Sequence, residues 1–208
     1  MPTSRLEAFS DGVLAIIITI MVLELKVPEH ADLAALRQTT GTALLTYLLS
    51  FVYIGIYWNN HHHMFQLVEK VSGGVLWANL HLLFWLSLFP LTTAWMDDTS
   101  YARTPVVVYG VNLLAAGLAW FLLQTTIIRA EGAASVLRQA LGGDWKGKLS
   151  PGGYLLGIAS AWLSVPLAMA FYVVVALAWL IPDRRFERAM RAIREASERP
   201  GGPPSSEG

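Results

Sequence analysis

The chain has 208 residues, of which 54% are hydrophobic and only 14% are charged, and its formal net charge is zero. Soluble domains carry about 25% charged residues, so this shortage of charge, together with repeated long apolar runs, predicts an integral membrane protein. The zero net charge argues against a nucleic-acid-binding protein, and the absence of cysteine excludes disulfides, Fe–S clusters, thiolate nucleophiles and cysteine-based zinc sites.

Five apolar stretches follow one another along the chain. They lie near residues 9–25, 43–66, 75–96, 104–128 and 152–182. The first four have the length of a membrane-spanning helix, roughly 17–25 residues. The first also lacks a small-residue cleavage site, so we interpret it as a retained helix. The fifth is long enough for one tilted helix or for two short ones, with Pro166 near its middle.

The distribution of basic residues favours six spans over five. With the N-terminus inside, six helices place 12 of the 15 Lys and Arg residues in cytoplasmic segments, whereas five helices place 6 there. Because cytoplasmic loops are enriched in Lys and Arg, we predict six spans with both termini cytoplasmic. The expected fold is an all-α transmembrane domain over residues 1–182, with helices near 6–26, 43–66, 74–97, 104–129, 151–165 and 166–182.

The C-terminal segment differs in composition from this domain. Residues 183–199, DRRFERAMRAIREASER, predict a basic amphipathic helix on the cytoplasmic side. Two roles stay open for it, contact with the anionic inner leaflet or a plain solvated extension. Residues 200–208, PGGPPSSEG, are expected to be disordered because they cannot bury enough apolar surface to fold.

Polar residues of three predicted helices fall at one depth, in the cytoplasmic leaflet. They are Arg5, Ser10 and Asp11 of helix one, the cluster from Trp58 to His63 at the end of helix two, and Asn79 and His81 of helix three. Intramembrane polar groups normally pair with one another, since an unsatisfied group costs several kcal/mol in hydrocarbon. We therefore expect a hydrogen-bonded latch between the three helices.

Other functions of this polar layer stay open. A proton relay through Asp11 and a histidine would make the protein a proton-coupled secondary transporter. A metal site is not expected, because consecutive histidines point about 100° apart on a helix and only one or two of them can face one ion. Neither a cofactor nor enzyme activity is expected, because no nucleophile with an activating base and an orienting group is recognisable.

Helix one carries an aliphatic face besides its polar residues. At about 100° per residue, five side chains fall within about 80° of one another, namely Gly12, Ile16, Thr19, Ile20 and Leu23. Asp11 lies on nearly the opposite side. Gly12 and Thr19 permit the close approach of another helix. Periodicity leaves open whether this face meets lipid, a helix of the same subunit or a copy of helix one.

Helix one also contains a specific signature. It reads Arg5-x-x-x-Phe9-Ser10-Asp11-Gly12-Val13, followed by Ala15-Ile16, Thr19 and Val22-Leu23-Glu24-Leu25. This signature resembles that of the lysosomal potassium channel family, the transmembrane protein 175 family, and more narrowly its bacterial members, which have one six-helix repeat per chain. Trp58, the His61–Phe65 cluster and the broken 152–182 region fit the same pattern. The resemblance covers residues 4–182.

This resemblance implies a homotetramer in the bacterial plasma membrane, in which four copies of helix one surround a potassium-conducting pore. The family lacks a TVGYG carbonyl filter, and this sequence lacks one too. By position from Asp11, the implied pore-facing residues are Ile16, Thr19, Ile20 and Leu23, with Ile16 at the narrowest point. A ring of four isoleucine side chains is a hydrophobic constriction, which can gate by dewetting. Potassium ions and membrane lipids are the implied partners.

The resemblance also implies roles for the polar residues. An inter-helix network would hold helix one in place and include Arg5, Phe9, Ser10, Asp11, Trp58, Asn79, His81 and a histidine of helix two, with His62 and His63 as the leading candidates. At the outer mouth, two roles stay open for Glu24. It either raises the local cation concentration or pairs with Lys26.

Overall fold

The computed structural model describes residues 2–68, 71–132, 135–141 and 145–180. Within these ranges all regular structure is helical. The helices are α1 (Thr3–Leu23), α2 (Leu33–Phe65), α3 (Gly73–Ser87), α4 (Phe89–Asp98), α5 (Arg103–Glu131), α6 (Val136–Leu141), α7 (Trp145–Ser160) and α8 (Val165–Leu180). The predicted basic helix at 183–199 and the tail at 200–208 lie outside the described residues.

Among the described residues, four segments are long and apolar enough to cross a membrane: Thr3–Leu23, Leu33–Phe65, Gly73–Asp98 and Arg103–Glu131. The third combines α3 and α4, which are separated at Leu88 just before Pro90. Proline lacks the N–H that a continuous helix needs and crowds the preceding turn, so the break is expected there. The chain is thus an all-helical protein with the apolar segments of an integral membrane protein.

Helix α2 begins ten residues before the predicted span at 43–66. Asp32 caps its N-terminus, since the Asp32 carboxylate accepts a hydrogen bond of 2.7 Å from the backbone N–H of Ala35. The resulting 33 residues have a length of about 50 Å. This exceeds the hydrocarbon thickness of about 30 Å, so α2 is long enough to extend beyond it.

The apolar stretch at 152–182 forms two helices rather than one long kinked helix. Helices α7 and α8 have 16 residues each and are joined by a turn at 161–164. Pro166 lies in the first turn of α8, where its missing N–H costs no helical hydrogen bond. Each of the two helices is about 24 Å long. They are shorter than the other spans, and the number of membrane crossings stays a prediction.

Small residues allow α5, α7 and α8 to pack closely. The buried ring of Tyr172 on α8 lies against Gly157 of α7 and Gly110 of α5, and a Cβ atom at either glycine would overlap this side chain. The Tyr172 hydroxyl donates to the Val106 carbonyl at 3.3 Å. Gly153, one turn before Gly157, packs against Val175. This small-xxx-small spacing brings the α7 and α8 backbones together, as is common between membrane helices.

Hydroxyl groups connect α2 to the rest of the bundle. The Ser50 hydroxyl lies 2.7 Å from that of Thr93 on α4 and 3.1 Å from that of Tyr109 on α5. One turn before Ser50, the hydroxyls of Thr46 and Tyr101 also form a hydrogen bond. These buried groups satisfy one another, which is the favourable arrangement for polar side chains in an apolar environment.

An ion pair joins the segment after α1 to the end of α4. Lys26 Nζ donates to Asp98 Oδ1 at 2.6 Å, and the hydrogen bond and charge of Asp98 raise the pKa of Lys26. The sequence left open an ion pair between Lys26 and Glu24. In the structure Lys26 pairs with Asp98 instead. Both partners are more than half exposed, so the pair contributes little to stability.

The packing of Tyr172 leads to a stability prediction. Gly157→Ala should destabilise the fold by about 1–3 kcal/mol, because the new methyl group overlaps the Tyr172 ring. The matched control is Gly152→Ala on the same helix, where a Cβ atom meets nothing within 4 Å. Thermal unfolding of the purified protein, followed by tryptophan fluorescence, should show a lower Tm for Gly157→Ala alone. Equal Tm values for the two variants would contradict this packing.

Candidate functional site

Helix α1 presents one face to the subunit and the other to its outside. The buried side chains are Leu6, Ser10, Leu14, Ile17 and Met21. The predicted aliphatic face lies outside, where Ile16 is 58%, Ile20 42% and Leu23 79% exposed. Gly12 and Thr19 are exposed with them. Of the three partners that the sequence left open for this face, a helix of the same subunit is not found among the described residues.

Two details of the exposed face bear on its use. A Cβ atom at Gly12 would meet nothing within 4 Å, so packing inside the subunit does not require a glycine there. The Thr19 hydroxyl donates to the Ile16 carbonyl at 2.9 Å, and its oxygen keeps lone pairs that can accept from another group or bind a cation. The face therefore combines aliphatic side chains with the hydroxyl oxygen of Thr19 and with Gly12, where another helix can approach closely.

The buried face of α1 is joined to α2 and α3 by a chain of polar side chains. Asn79 is its centre, since its Nδ2 donates to Ser10 Oγ at 2.9 Å and its Oδ1 lies 2.8 Å from His61 Nε2. The Ser10 hydroxyl donates in turn to the Leu6 carbonyl at 2.9 Å. Ser10, His61 and Asn79 are at most 1% exposed. This chain is the expected latch between the three helices.

The latch places a proton on one ring nitrogen of His61. Asn79 Oδ1 is an acceptor, so in this arrangement His61 Nε2 carries the proton that forms the hydrogen bond. The other ring nitrogen, Nδ1, is buried without a hydrogen-bond partner among the described residues. His61 thus serves as a donor to Asn79.

A second set of contacts joins one edge of α1 to α2. The indole N–H of Trp58 donates to Asp11 Oδ1 at 3.0 Å. Glu7 Oε1 lies 3.5 Å from His62 Nδ1, and Gln66 Nε2 lies 2.7 Å from His62 Nε2. The rings of Trp58 and His62 stack at 6.3 Å. Asp11 thus pairs at the rim of the subunit, apart from the buried chain of Ser10.

The histidine of the buried latch differs from the expected ones. His61 fills this place, whereas His62 and His63 were the leading candidates. The reason is the rotation of α2, whose buried face carries Tyr57, His61 and Met64 at helical spacing. His62 is turned by about 100° from this face and reaches Glu7 instead. The centre of the His63 ring lies 5.7 Å from that of His62.

Three further residues of the expected network lie elsewhere. At about 100° per residue, Arg5 and Phe9 fall within about 20° of Ile16, on the exposed face of α1. In the described part of the chain, the Arg5 side chain forms neither a hydrogen bond nor an ion pair. His81 is exposed on α3 and accepts from Trp85 of its own helix at 3.4 Å. The subunit therefore does not bring these three residues to the latch.

Sequence reasoning missed Glu7, although a signal for it was present. Glu7 precedes Asp11 by one helical turn, so both carboxylates lie on the same edge of α1, and α2 presents Trp58 and His62 to them at the same spacing. Glu24 lies beyond this region, in a small cleft that it shares with Asp97 and Asp98. No group of three or more His, Asp or Glu side chains suited to a metal ion occurs within the described ranges.

Comparisons with known proteins agree with this architecture. A family model described as endosomal/lysosomal potassium channel TMEM175 matches residues 5–90. A protein of Chryseobacterium sp. (strain P1-3) named potassium channel is 53% identical over 191 residues, which cover 92% of this chain and 99% of that relative. The human endosomal/lysosomal proton channel TMEM175 is 34% identical over 112 residues, 49% of this chain and 22% of the human protein.

A solved structure matches the fold as well. The crystal structure of a lysosomal potassium-selective channel TMEM175 homologue from Chamaesiphon minutus has a TM-score of 0.71 to this chain at 30% identity, covering 87% of this chain and 97% of that one. Identity above 50% across nearly a whole relative, the match to the first helices and the shared fold point to one origin. The chain therefore belongs to the TMEM175 family.

Proposed function

We propose that the chain is the subunit of a potassium-permeable cation channel, a homotetramer in which four copies of α1 line a central pore. The observation that carries this proposal is the aliphatic face of α1, which the described helices of the subunit leave exposed. The names of the relatives support it, since the Chryseobacterium protein is named a potassium channel and the matching structure is described as potassium-selective.

The close approach that Gly12 permits favours another helix over lipid as the partner of this face. A Cβ atom at Gly12 would meet nothing within 4 Å, so no contact with the described residues requires a glycine at this position. Arg5 lies on the same face as Ile16, about 16 Å away along the helix. Because Arg5 is in the first turn of α1, its guanidinium can reach water beside either lipid or a pore.

Ile16 forms the constriction of the proposed pore. Four such side chains around an axis make a short hydrophobic ring, whose diameter and wetting control the passage of ions. Thr19 lies one turn beyond it, and its oxygen can contact a partly dehydrated cation because its proton is already donated to the Ile16 carbonyl. Ile20 and Leu23 continue the apolar lining toward Glu24. Potassium gives up its water more readily than sodium, which favours potassium at such a ring.

The proposed channel lies in the bacterial plasma membrane with both termini in the cytoplasm. This orientation rests on the excess of Lys and Arg in the segments assigned to the inside. The latch of Ser10, His61 and Asn79 then lies in the cytoplasmic leaflet, and Glu24 lies near the outer mouth. There, with Asp97 and Asp98 close by, its charge raises the local cation concentration.

The alternative function is a proton-coupled transporter that uses Asp11 and the helix-two histidines. The name of the human relative, a proton channel, speaks for proton movement in that protein. The hydrogen bonds of Asp11 and His61 speak against a relay through these two residues. The path from His61 through Asn79 and Ser10 ends on the Leu6 carbonyl, which has no proton to pass on. Asp11 meets the indole of Trp58, which is a donor only.

The first functional prediction concerns the constriction. Ile16→Asn should increase potassium flux into liposomes about tenfold, because a polar ring lowers the dewetting barrier by about 1.4 kcal/mol. Leu118→Asn on α5 is the matched control, since Leu118 is 52% exposed on a helix away from α1. A potassium-sensitive dye reports the flux. Liposomes with the wild-type protein that show no ion flux would refute the channel. Equal effects of both variants would refute a constriction at Ile16.

The second prediction separates the channel from the transporter. Asp11→Asn keeps an oxygen that accepts from Trp58, so the fold and the passive potassium flux should persist within about twofold. The same liposomes, loaded with a pH-sensitive dye, should show no proton uptake driven by a solute gradient in either protein. Solute-driven uptake of protons by the wild type that Asp11→Asn abolishes, with Tm unchanged, would establish the transporter instead.

A further inference from the structure

A groove runs along the outside of the subunit between α2 and α8. Helix α2 contributes side chains such as Leu45, Leu48 and Val52, and α8 contributes one face over three turns, from Met169 to Leu180. The space free for a ligand measures about 490 Å³, which lies within the range of about 300–1,000 Å³ of ligand sites in proteins. The groove is therefore large enough to hold a chain-like molecule.

The walls of this groove are apolar over most of its length. Of the described residues that line it, Thr46 and Tyr101 are the polar ones, and their hydroxyls bond to each other at one end. The lining part of α8, from Met169 to Leu180, has a rise of about 16 Å. One leaflet of a bilayer has a hydrocarbon depth of about 15 Å, half of the whole core. Length and composition thus fit an acyl chain that lies along α8.

Two arginines lie at the polar end of the groove. Arg37 is exposed on α2 and falls within about 20° of Leu48 at about 100° per residue. Arg103 is exposed at the start of α5, two residues after Tyr101, whose hydroxyl lies 3.1 Å from the Thr42 carbonyl oxygen of α2. Neither guanidinium has an ion pair or a hydrogen bond with any residue that the structure describes. Two positive charges are thus available beside the apolar groove.

The carboxylates at this end of the bundle lie on another face of α2. Glu24, Asp97 and Asp98 share a small cleft with Tyr47. Tyr47 is turned by about 100° from Leu48, so this cleft and the groove are separate. The Asp98 carboxylate is moreover paired with a lysine at 2.6 Å. The two arginines therefore remain available to an anion from outside the subunit.

We propose that this groove binds an anionic phospholipid, with one acyl chain along α8 and the headgroup phosphate at Arg37 and Arg103. The acyl chain covers the apolar walls, which the described helices leave open. The phosphate pairs with the guanidinium groups, which bind phosphate through two parallel hydrogen bonds. A long arginine side chain also follows its helix while its charged end stays in the headgroup region.

The lipid site is separate from the proposed pore. Helix α2 contacts α1 through Trp58, which donates to Asp11, and Trp58 is turned by about 120° from Val52 of the groove. The aliphatic face of α1 and the groove thus point in different directions. A subunit that contacts its copies through α1 keeps the groove open to the lipid.

Native mass spectrometry of the purified full chain tests the groove, with dioleoylphosphatidylglycerol as the probe. Val173→Trp fills the groove with a larger side chain, so it should lower the affinity for this lipid at least tenfold. Val174→Trp is the matched control, since Val174 is 61% exposed on the same helix and is outside the groove lining. Equal lipid binding by the two variants would overturn the proposal. Should Val173→Trp fail to fold, Val173→Phe takes its place with the same expected direction.

A second pair of variants tests the headgroup contact. Arg37→Gln should lower the affinity for dioleoylphosphatidylglycerol about fivefold, the contribution of one basic residue near an anionic lipid. Arg37→Lys keeps the positive charge and should stay within about twofold of the wild type. Neither variant should change the binding of zwitterionic dioleoylphosphatidylcholine. Equal affinities of the wild type for the two lipids, or an unchanged affinity in Arg37→Gln, would contradict an anionic headgroup at this site.

Two other occupants of this surface give different results in the same spectra. Displacement of the lipid by millimolar inorganic phosphate would show a plain anion site and would refute the lipid site. A changed number of subunits in Val173→Trp, with the lipid bound per subunit unchanged, would show that a copy of the chain covers the groove. That result would refute the lipid site as well.

Discussion

The hydrogen bonds of Asn79 are the interaction on which the arrangement of this subunit depends. Asn79 holds Ser10 of α1 and His61 of α2 at once, in an environment without water. Breaking either bond would leave a buried polar group unpaired, which costs far more than the bond contributes when formed. Ser10 and the apolar side chains Leu14 and Ile17 lie on the same buried face of α1, so Ser10 reaches Asn79 at the rotation that also buries this face. The latch therefore sets which face of α1 points outward.

The exposed face follows from this rotation. With Ser10 turned inward, Ile16, Ile20 and Leu23 point away from the subunit, and Arg5 and Phe9 point with them. The proposed pore is thus a consequence of the latch, since the rotation that buries Ser10 is the one that leaves Ile16 58% and Leu23 79% exposed. Asp11 contacts Trp58 and Glu7 contacts His62 on a second edge of α1. These contacts also restrict the rotation of this helix.

The opposite side of the bundle is built on a different principle. Around Tyr172 the glycines Gly110 and Gly157 are required by close packing, and the helices fit without a gap. About two turns further along α5, Gly117 meets the Tyr154 ring at an ordinary contact distance, beside a cavity lined by aromatic rings. The two regions share helices α5, α7 and α8, so the same elements pack closely at one depth and leave a cavity at another.

The sequence by itself determined the class of protein, the long apolar helices, the family signature and the meeting of Ser10 and Asn79 at one depth, because length, hydropathy and helical spacing are local properties. Tertiary structure decided the rest. His61 rather than its neighbours completes the latch because the rotation of α2 depends on its packing against α1, α4 and α8. Lys26 pairs with Asp98 because the chain brings together residues 72 positions apart. The groove between α2 and α8 needs both helices to define it, and neither helix carries its signal alone.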